Sequence, residues 1–216
     1  MKGNSKLVMS RQTLPHERLE VTVRRHLAAE WQKPPACHTR EAFARFLEIV
    51  SSINRQIILD SGCGTGESTL RLASDHMDCW VIGIDKSAAR LAKADKKERP
   101  QNAVFLRADQ FDFWRLAAEQ NLRFKDHYLF YPNPWPKKEH LKRRIHAHPA
   151  FKHLIAISER LILRSNWLIF IQEFAAAYRL ATGYEGETLK IRPREAYTLF
   201  EKKFLESGHE LYEFRG

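Results

Sequence analysis

Cysteine is scarce: Cys37, Cys63 and Cys79 are odd in number and far apart in 216 residues. That excludes a disulfide framework and leaves no paired-cysteine zinc motif, so a reducing compartment, the cytoplasm, is expected. No run of about 18 apolar residues occurs, and the N-terminus carries Lys2, Lys6, Arg11, His16 and Arg18 without the apolar stretch of a leader. Export and membrane spanning are therefore not expected. His140, His146, His148 and His153 lack both a HExxH pattern and cysteine partners, so no metal is expected. The absence of a 20–50-residue period or a low-complexity tract excludes a solenoid.

What is abundant is positive charge. The chain has 36 Lys and Arg against 26 Asp and Glu, a formal net charge of +10, which draws polyanions before contact and makes nucleic acid the leading partner class. A composition 44% hydrophobic and 11% aromatic supports a soluble, well-buried α/β core. One domain is expected, with residues 1–39 an N-terminal arm and helix (1–15 a mobile arm) and 40–216 the main α/β body.

Helical spacing marks about 17–31 and 40–51, the latter with Phe43, Phe46, Leu47 and Val50 as its apolar stripe. Short apolar runs at 56–59, 80–84, 103–106, 127–131 and 167–172 predict five strands. Helices are expected to begin near Glu67, Ser87, Phe111 and Pro149. Residues 188–191 and 209–214 are expected to add a terminal antiparallel pair. Strands alternating with helices point to a mostly parallel seven-stranded sheet with helices on both faces.

The first predicted strand runs into "ILDSGCGTGEST", in which Asp60 precedes Gly62, Gly64 and Gly66. Glycines there permit positive φ and let the backbone approach a ligand where a Cβ would collide. Asp85 closes the second strand in "VIGID", placed to accept hydrogen bonds from both hydroxyls of a ribose. Dinucleotide enzymes and S-adenosylmethionine (SAM) enzymes share this pattern. The G-x-G-x-G spacing favours SAM, as does Asp60, since a carboxylate suits an ammonium group and repels a pyrophosphate. Asp109, after the third strand, is open between a contact to the adenine amino group and a helix cap.

The fourth strand leads into "YPNPWPKKEHLKRR", where Pro132, Pro134 and Pro136 stiffen a turn presenting Asn133 and Trp135. Asn133 offers donors and an acceptor to a base edge, and Trp135 a face for stacking. Both also suit a plain turn and a core plug. Lys137, Lys142, Arg143 and Arg144 follow as phosphate-binding candidates.

With these motifs, the chain resembles the bacterial tRNA (guanine-N7)-methyltransferase family over roughly residues 40–214. "PNPWPKKEHLKRR" is similar to that family's P-D-P-W-x-K-x-x-x-x-K-R-R, and "LDSGCGTG", "GID", "RAD" and "TLFEKKFLESGHELYEF" support it. The resemblance implies a Rossmann-like SAM methyltransferase fold, SAM as cofactor and tRNA as partner, in a monomer or homodimer. Asp60, Asp85, Asp109 and Asn133 would contact SAM, Lys137 would approach tRNA, Arg143 and Arg144 would hold the RNA backbone, and Thr198 and Glu201 would line the guanine and methionine pocket. Asn133 stands where the family has aspartate, and Gln172-Glu173 is expected where the family has Thr-Asp after the fifth strand. Asn133 and Glu173 are accordingly the expected catalytic pair, both orienting the base, with Glu173 also compensating for the charge that Asn133 lacks. Two competing readings are methylation of an exocyclic or amide nitrogen and a non-catalytic RNA-binding relative.

Overall fold

A computed structural model describes residues 4–216; Lys2 and the rest of the first three residues of the expected arm lie outside the described residues. Seven strands form one sheet in the order β3-β2-β1-β4-β5-β7-β6. The strands are β1 Ile57–Ser61, β2 Trp80–Asp85, β3 Ala103–Arg107, β4 Phe124–Phe130, β5 Ser158–Ser165, β6 Glu187–Ile191 and β7 Leu211–Arg215. The chain divides into two compact units.

One unit holds residues 33–130 and 156–160. Here β1 pairs in parallel with both β2 and β4, and β2 with β3, so these strands deliver their carboxyl ends to one edge. Their connections are the helices α3 Glu67–Asp75, α4 Ala88–Ala94 and α5 Gln110–Glu119, each starting within one residue of its expected position. Short apolar strands such as Ile58-Leu59 and Val81-Ile82 are fully buried, as parallel strands covered by helices must be. Helix α2, Cys37–Ser51, turns Phe43 and Phe46 onto Phe113 and Phe124, with ring centroids 5.3 to 5.9 Å apart.

Beneath this edge lies a buried polar chain. His127 on β4 bonds the Ser61 hydroxyl through Nε2 at 2.8 Å and the Ser158 hydroxyl through Nδ1 at 2.9 Å, while Trp114 Nε1 donates to Ser61 at 2.9 Å. Burial pushes the His127 pKa down to about 3. The native imidazole stays neutral while the unfolded chain takes up a proton below about 6.5. Stability from this group is complete above that value and is lost as pH falls towards 3, by roughly 1.4 kcal/mol per pH unit. A His127→Gln variant should show a shallower decline between pH 6.5 and 4 in urea titrations; identical slopes would refute the assignment.

The other unit holds residues up to 32, 131–155 and 161–216. It contains α1 Leu19–Ala28, most of α6 Phe151–Ile157, α7 Leu168–Thr182 and α8 Leu199–Glu206, with β7 antiparallel to both β5 and β6, as expected for the terminal pair. One expectation fails here. The run at 167–172, expected as the fifth strand, opens the 15-residue helix α7, and the strand is Ser158–Ser165. A short continuous apolar run fits a buried strand or a buried helix, and its continuation decides. Phe170, Ile171, Phe174 and Ala177 recur with helical period and are buried, Phe174 packing on Phe151 and Phe214. Glu173 shares that buried face. The residues that close and follow the fifth strand are therefore Ser165 and Asn166, with Gln172-Glu173 inside α7.

Candidate active site

Gly62, Gly64 and Gly66 adopt φ of 81°, 60° and 84°. The turn is fastened to β2 because Ile84 O accepts the N–H groups of Gly62 and Cys63 at 2.8 and 3.0 Å. A Cβ on Gly64 would meet nothing within 4 Å, so its backbone borders open space; one on Gly66 would collide with Phe105 and Ala94 at 2.7 and 2.8 Å. Gly64 thus leaves room for a ligand, and Gly66 serves close packing against Phe105 and Ala94.

Asp60 is buried, and its Oδ2 accepts from the hydroxyls of Ser68 and Thr69 at 2.6 Å each. Burial pushes its pKa up to about 6, against the pull of those hydroxyls and with a smaller push from Asp85. A desolvated carboxylate held this way favours a cation beside it. Asp85 takes Ser87 N–H at 2.8 Å on Oδ1 and Gly64 N–H at 3.0 Å on Oδ2, with the Arg90 guanidinium 3.3 Å away. Oδ1 keeps a lone pair for a ribose hydroxyl, while Oδ2 is shared between Gly64 and Arg90. Asp109 caps α5 through Phe111 N–H at 3.0 Å on Oδ1, so the helix-cap reading holds. These residues fit SAM: Asp60 its ammonium group, Asp85 a ribose hydroxyl, and the Gly64 backbone its passage. Sequence reasoning missed Ser68, Thr69 and Arg90, although a hydroxyl pair one turn past a glycine loop is a usable signal.

Residues 131–136 make a strained turn, with Tyr131 at φ 52° and Trp135 at φ 45°. Asn133 is exposed and its Oδ1 accepts Trp135 N–H at 3.2 Å. The Arg143 guanidinium lies 4.9 Å over the Trp135 ring and His140 meets its edge at 5.4 Å. One face of that ring is thus already covered. Lys137, Lys142 and Arg143 are exposed, as phosphate contacts require.

Three expectations need correction in this unit. Arg144, expected on the RNA backbone, is fully buried and ion-paired with Glu173. Glu173, expected to orient the base, is also fully buried, and all its acceptor positions are taken. Oε1 takes Gln12 Nε2 at 2.6 Å and His16 N–H at 2.8 Å; Oε2 takes Arg144 and, at 3.0 Å, His146 Nε2. Burial acts to raise the Glu173 pKa, but His146 and Arg144 outweigh it and hold it at about 2. Glu201, expected to line the pocket, is buried, accepting from Tyr131 Oη at 2.6 Å, Arg164 at 2.9 Å and Tyr197 N–H at 2.6 Å. Thr198 caps α8 through Glu201 N–H at 2.9 Å and retains its hydroxyl hydrogen.

The arm differs from expectation as well. Gln12 is buried, and Ser10 Oγ donates to Pro136 O at 2.7 Å, so these residues dock on the turn instead of moving freely. Nothing before residue 16 has the periodicity that would have announced this. No helix among the described residues is long and apolar enough to cross a membrane.

A parallel sheet extended by an antiparallel terminal strand, a glycine turn after β1 and acids at successive strand ends define a SAM-dependent methyltransferase of the Rossmann-like class. A 16S rRNA adenine methyltransferase from Catenulisporales acidiphilia, solved with cosubstrate SAM, shares this fold: TM-score 0.55, 14% identity, 80% of this chain and 89% of that chain covered. Residues 54–214 match the family described as "Putative methyltransferase". Two curated relatives, both tRNA (guanine-N(7)-)-methyltransferases, are from Chlorobium phaeobacteroides, at 30% identity over 70% of this chain and 76% of the relative, and Nitrosococcus oceani, at 28% over 78% and 75%. The chain belongs to the tRNA (guanine-N7)-methyltransferase family.

Proposed function

We propose that the protein methylates N7 of a variable-loop guanine in tRNA, in the cytoplasm, with SAM as donor. SAM supplies a methyl group on a cationic sulfur, which the N7 lone pair can take given orientation and no general base. Asp60 would hold the ammonium end, Asp85 a ribose hydroxyl and Asp109, through the Oδ2 that capping leaves over, the adenine amino group, with the Gly64 backbone passing close to the ligand.

The observation that carries the reading is the state of the Asn133 amide. A backbone N–H can only donate, so the Trp135 N–H identifies the bonded atom as Oδ1 and leaves the exposed NH2 without a partner among the described residues. Guanine presents two acceptors, O6 and N7, along one edge. An NH2 donor bonded to O6 fixes the ring without consuming the N7 lone pair. Methylation of an exocyclic amine would ask the Asn133 oxygen to accept, and one of its two lone pairs is already taken by Trp135 N–H. Trp135, Lys137, Lys142 and Arg143 would bind tRNA, with affinity falling steeply with salt. Thr198 would offer its hydroxyl hydrogen to the substrate or the methionine end.

The test is incubation with labelled SAM and bulk tRNA, followed by digestion to nucleosides. Label should appear in 7-methylguanosine; label in any other nucleoside overturns the reading. Asn133→Ala should lower kcat roughly 10–100-fold while leaving SAM affinity unchanged, since the amide acts only on the base.

A further inference from the structure

Prolines at 132, 134 and 136 leave the turn only two N–H groups among residues 132–136, those of Asn133 and Trp135. Such a segment cannot hold itself by its own backbone. Yet Trp135 sits at φ 45°, a conformation that a bulky residue keeps only under constraint from its surroundings. The constraint is visible at three successive carbonyls. Trp135 O accepts Arg144 Nε at 3.2 Å, Pro136 O accepts Ser10 Oγ at 2.7 Å, and Lys137 O accepts Arg144 Nη2 at 3.4 Å. Arg144 is aimed by its ion pair with Glu173 and by Gln12 Oε1, which accepts Nη2 at 3.0 Å. Glu173 in turn takes Gln12 Nε2 and His16 N–H, so one buried carboxylate secures both the arginine and the arm.

We propose that Ser10, Gln12, Arg144 and Glu173 form a clamp that positions the 133–137 turn for its substrate, making the N-terminal arm part of the frame of the substrate site. The four are positioning residues: Gln12, Arg144 and Glu173 are buried, and none is placed to touch the base. The inference rests on the proposed role of Asn133, because a turn that orients a ring must itself be held within a fraction of an ångström.

Ser10 and Gln12 test it, since neither removes the Arg144–Glu173 pair. Ser10→Ala should lower kcat for tRNA methylation about threefold and Gln12→Met about tenfold, with SAM Kd within about twofold of wild type. Ser10→Thr, which keeps the hydroxyl, should restore the rate. Hydrogen exchange, read without substrate, should show the amides of Trp135, Lys137 and Lys138 opening about tenfold faster in Ser10→Ala and Gln12→Met, with β1 unchanged. Wild-type exchange and wild-type kcat in both variants would overturn the proposal. So would a loss of SAM affinity in step with kcat, the sign of general loosening. A wild-type protein that methylates no tRNA would defeat the functional reading alone, and the exchange data would still decide for or against the clamp.

Discussion

Arg144→Met should lower the free energy of unfolding by about 3–5 kcal/mol, the range seen when one partner of a buried ion pair is removed. Arg144 and Glu173 are both inaccessible to solvent, so the substitution strands the Glu173 carboxylate, whose low pKa depends in part on Arg144, in a site closed to solvent. The carbonyls of Trp135 and Lys137 lose their donor at the same time. Denaturant titration at pH 7.5 measures the loss. Arg144→Met combined with Glu173→Leu should recover most of it, because no unpaired charge then remains. A single variant within about 1 kcal/mol of wild type would show that the pair contributes little.

Asp60→Asn should weaken SAM binding roughly 10–100-fold, the worth of a charge-assisted hydrogen bond to an ammonium group, and should leave folding intact. Its pKa of about 6, against an ordinary 3.8, sets the sign of two further effects. A raised native pKa contributes stability that is full below about 3.8 and is lost as pH rises through 6. At pH 7.5 the buried charge therefore opposes folding by on the order of 2–3 kcal/mol, and Asp60→Asn should be at least as stable as wild type. On the proposed role of Asp60, SAM binding requires the ionised carboxylate, so wild-type affinity should fall about tenfold per pH unit below 6, and the variant should lack that slope. Calorimetry across pH 5 to 8 reads both. A flat wild-type profile would remove Asp60 from the ammonium site.

These two residues also mark where sequence reasoning succeeds and where it stops. The placement of Asp60, Asp85 and the glycines was legible because it is local. A turn needing three positive φ values selects glycine, and an acid at a strand end is placed by the strand itself. The helix starts near Glu67 and Ser87 follow from the same short-range rules. Asn133 and its prolines were legible for the same reason.

The sequence by itself determined the alternation of strands and helices, the glycine turn with its acids, the stiff Asn133 turn and the basic segment behind it, all within spans of a dozen residues. Only the tertiary structure decided that 167–172 is helix, that Arg144 and Glu173 face inward, and that the arm docks on the turn. The physical reason is range. Whether a charge is solvated or buried depends on partners the chain brings from afar, and Gln12 lies 132 residues from Arg144 and 161 from Glu173. No local pattern records such a meeting, because each side chain alone reads as surface.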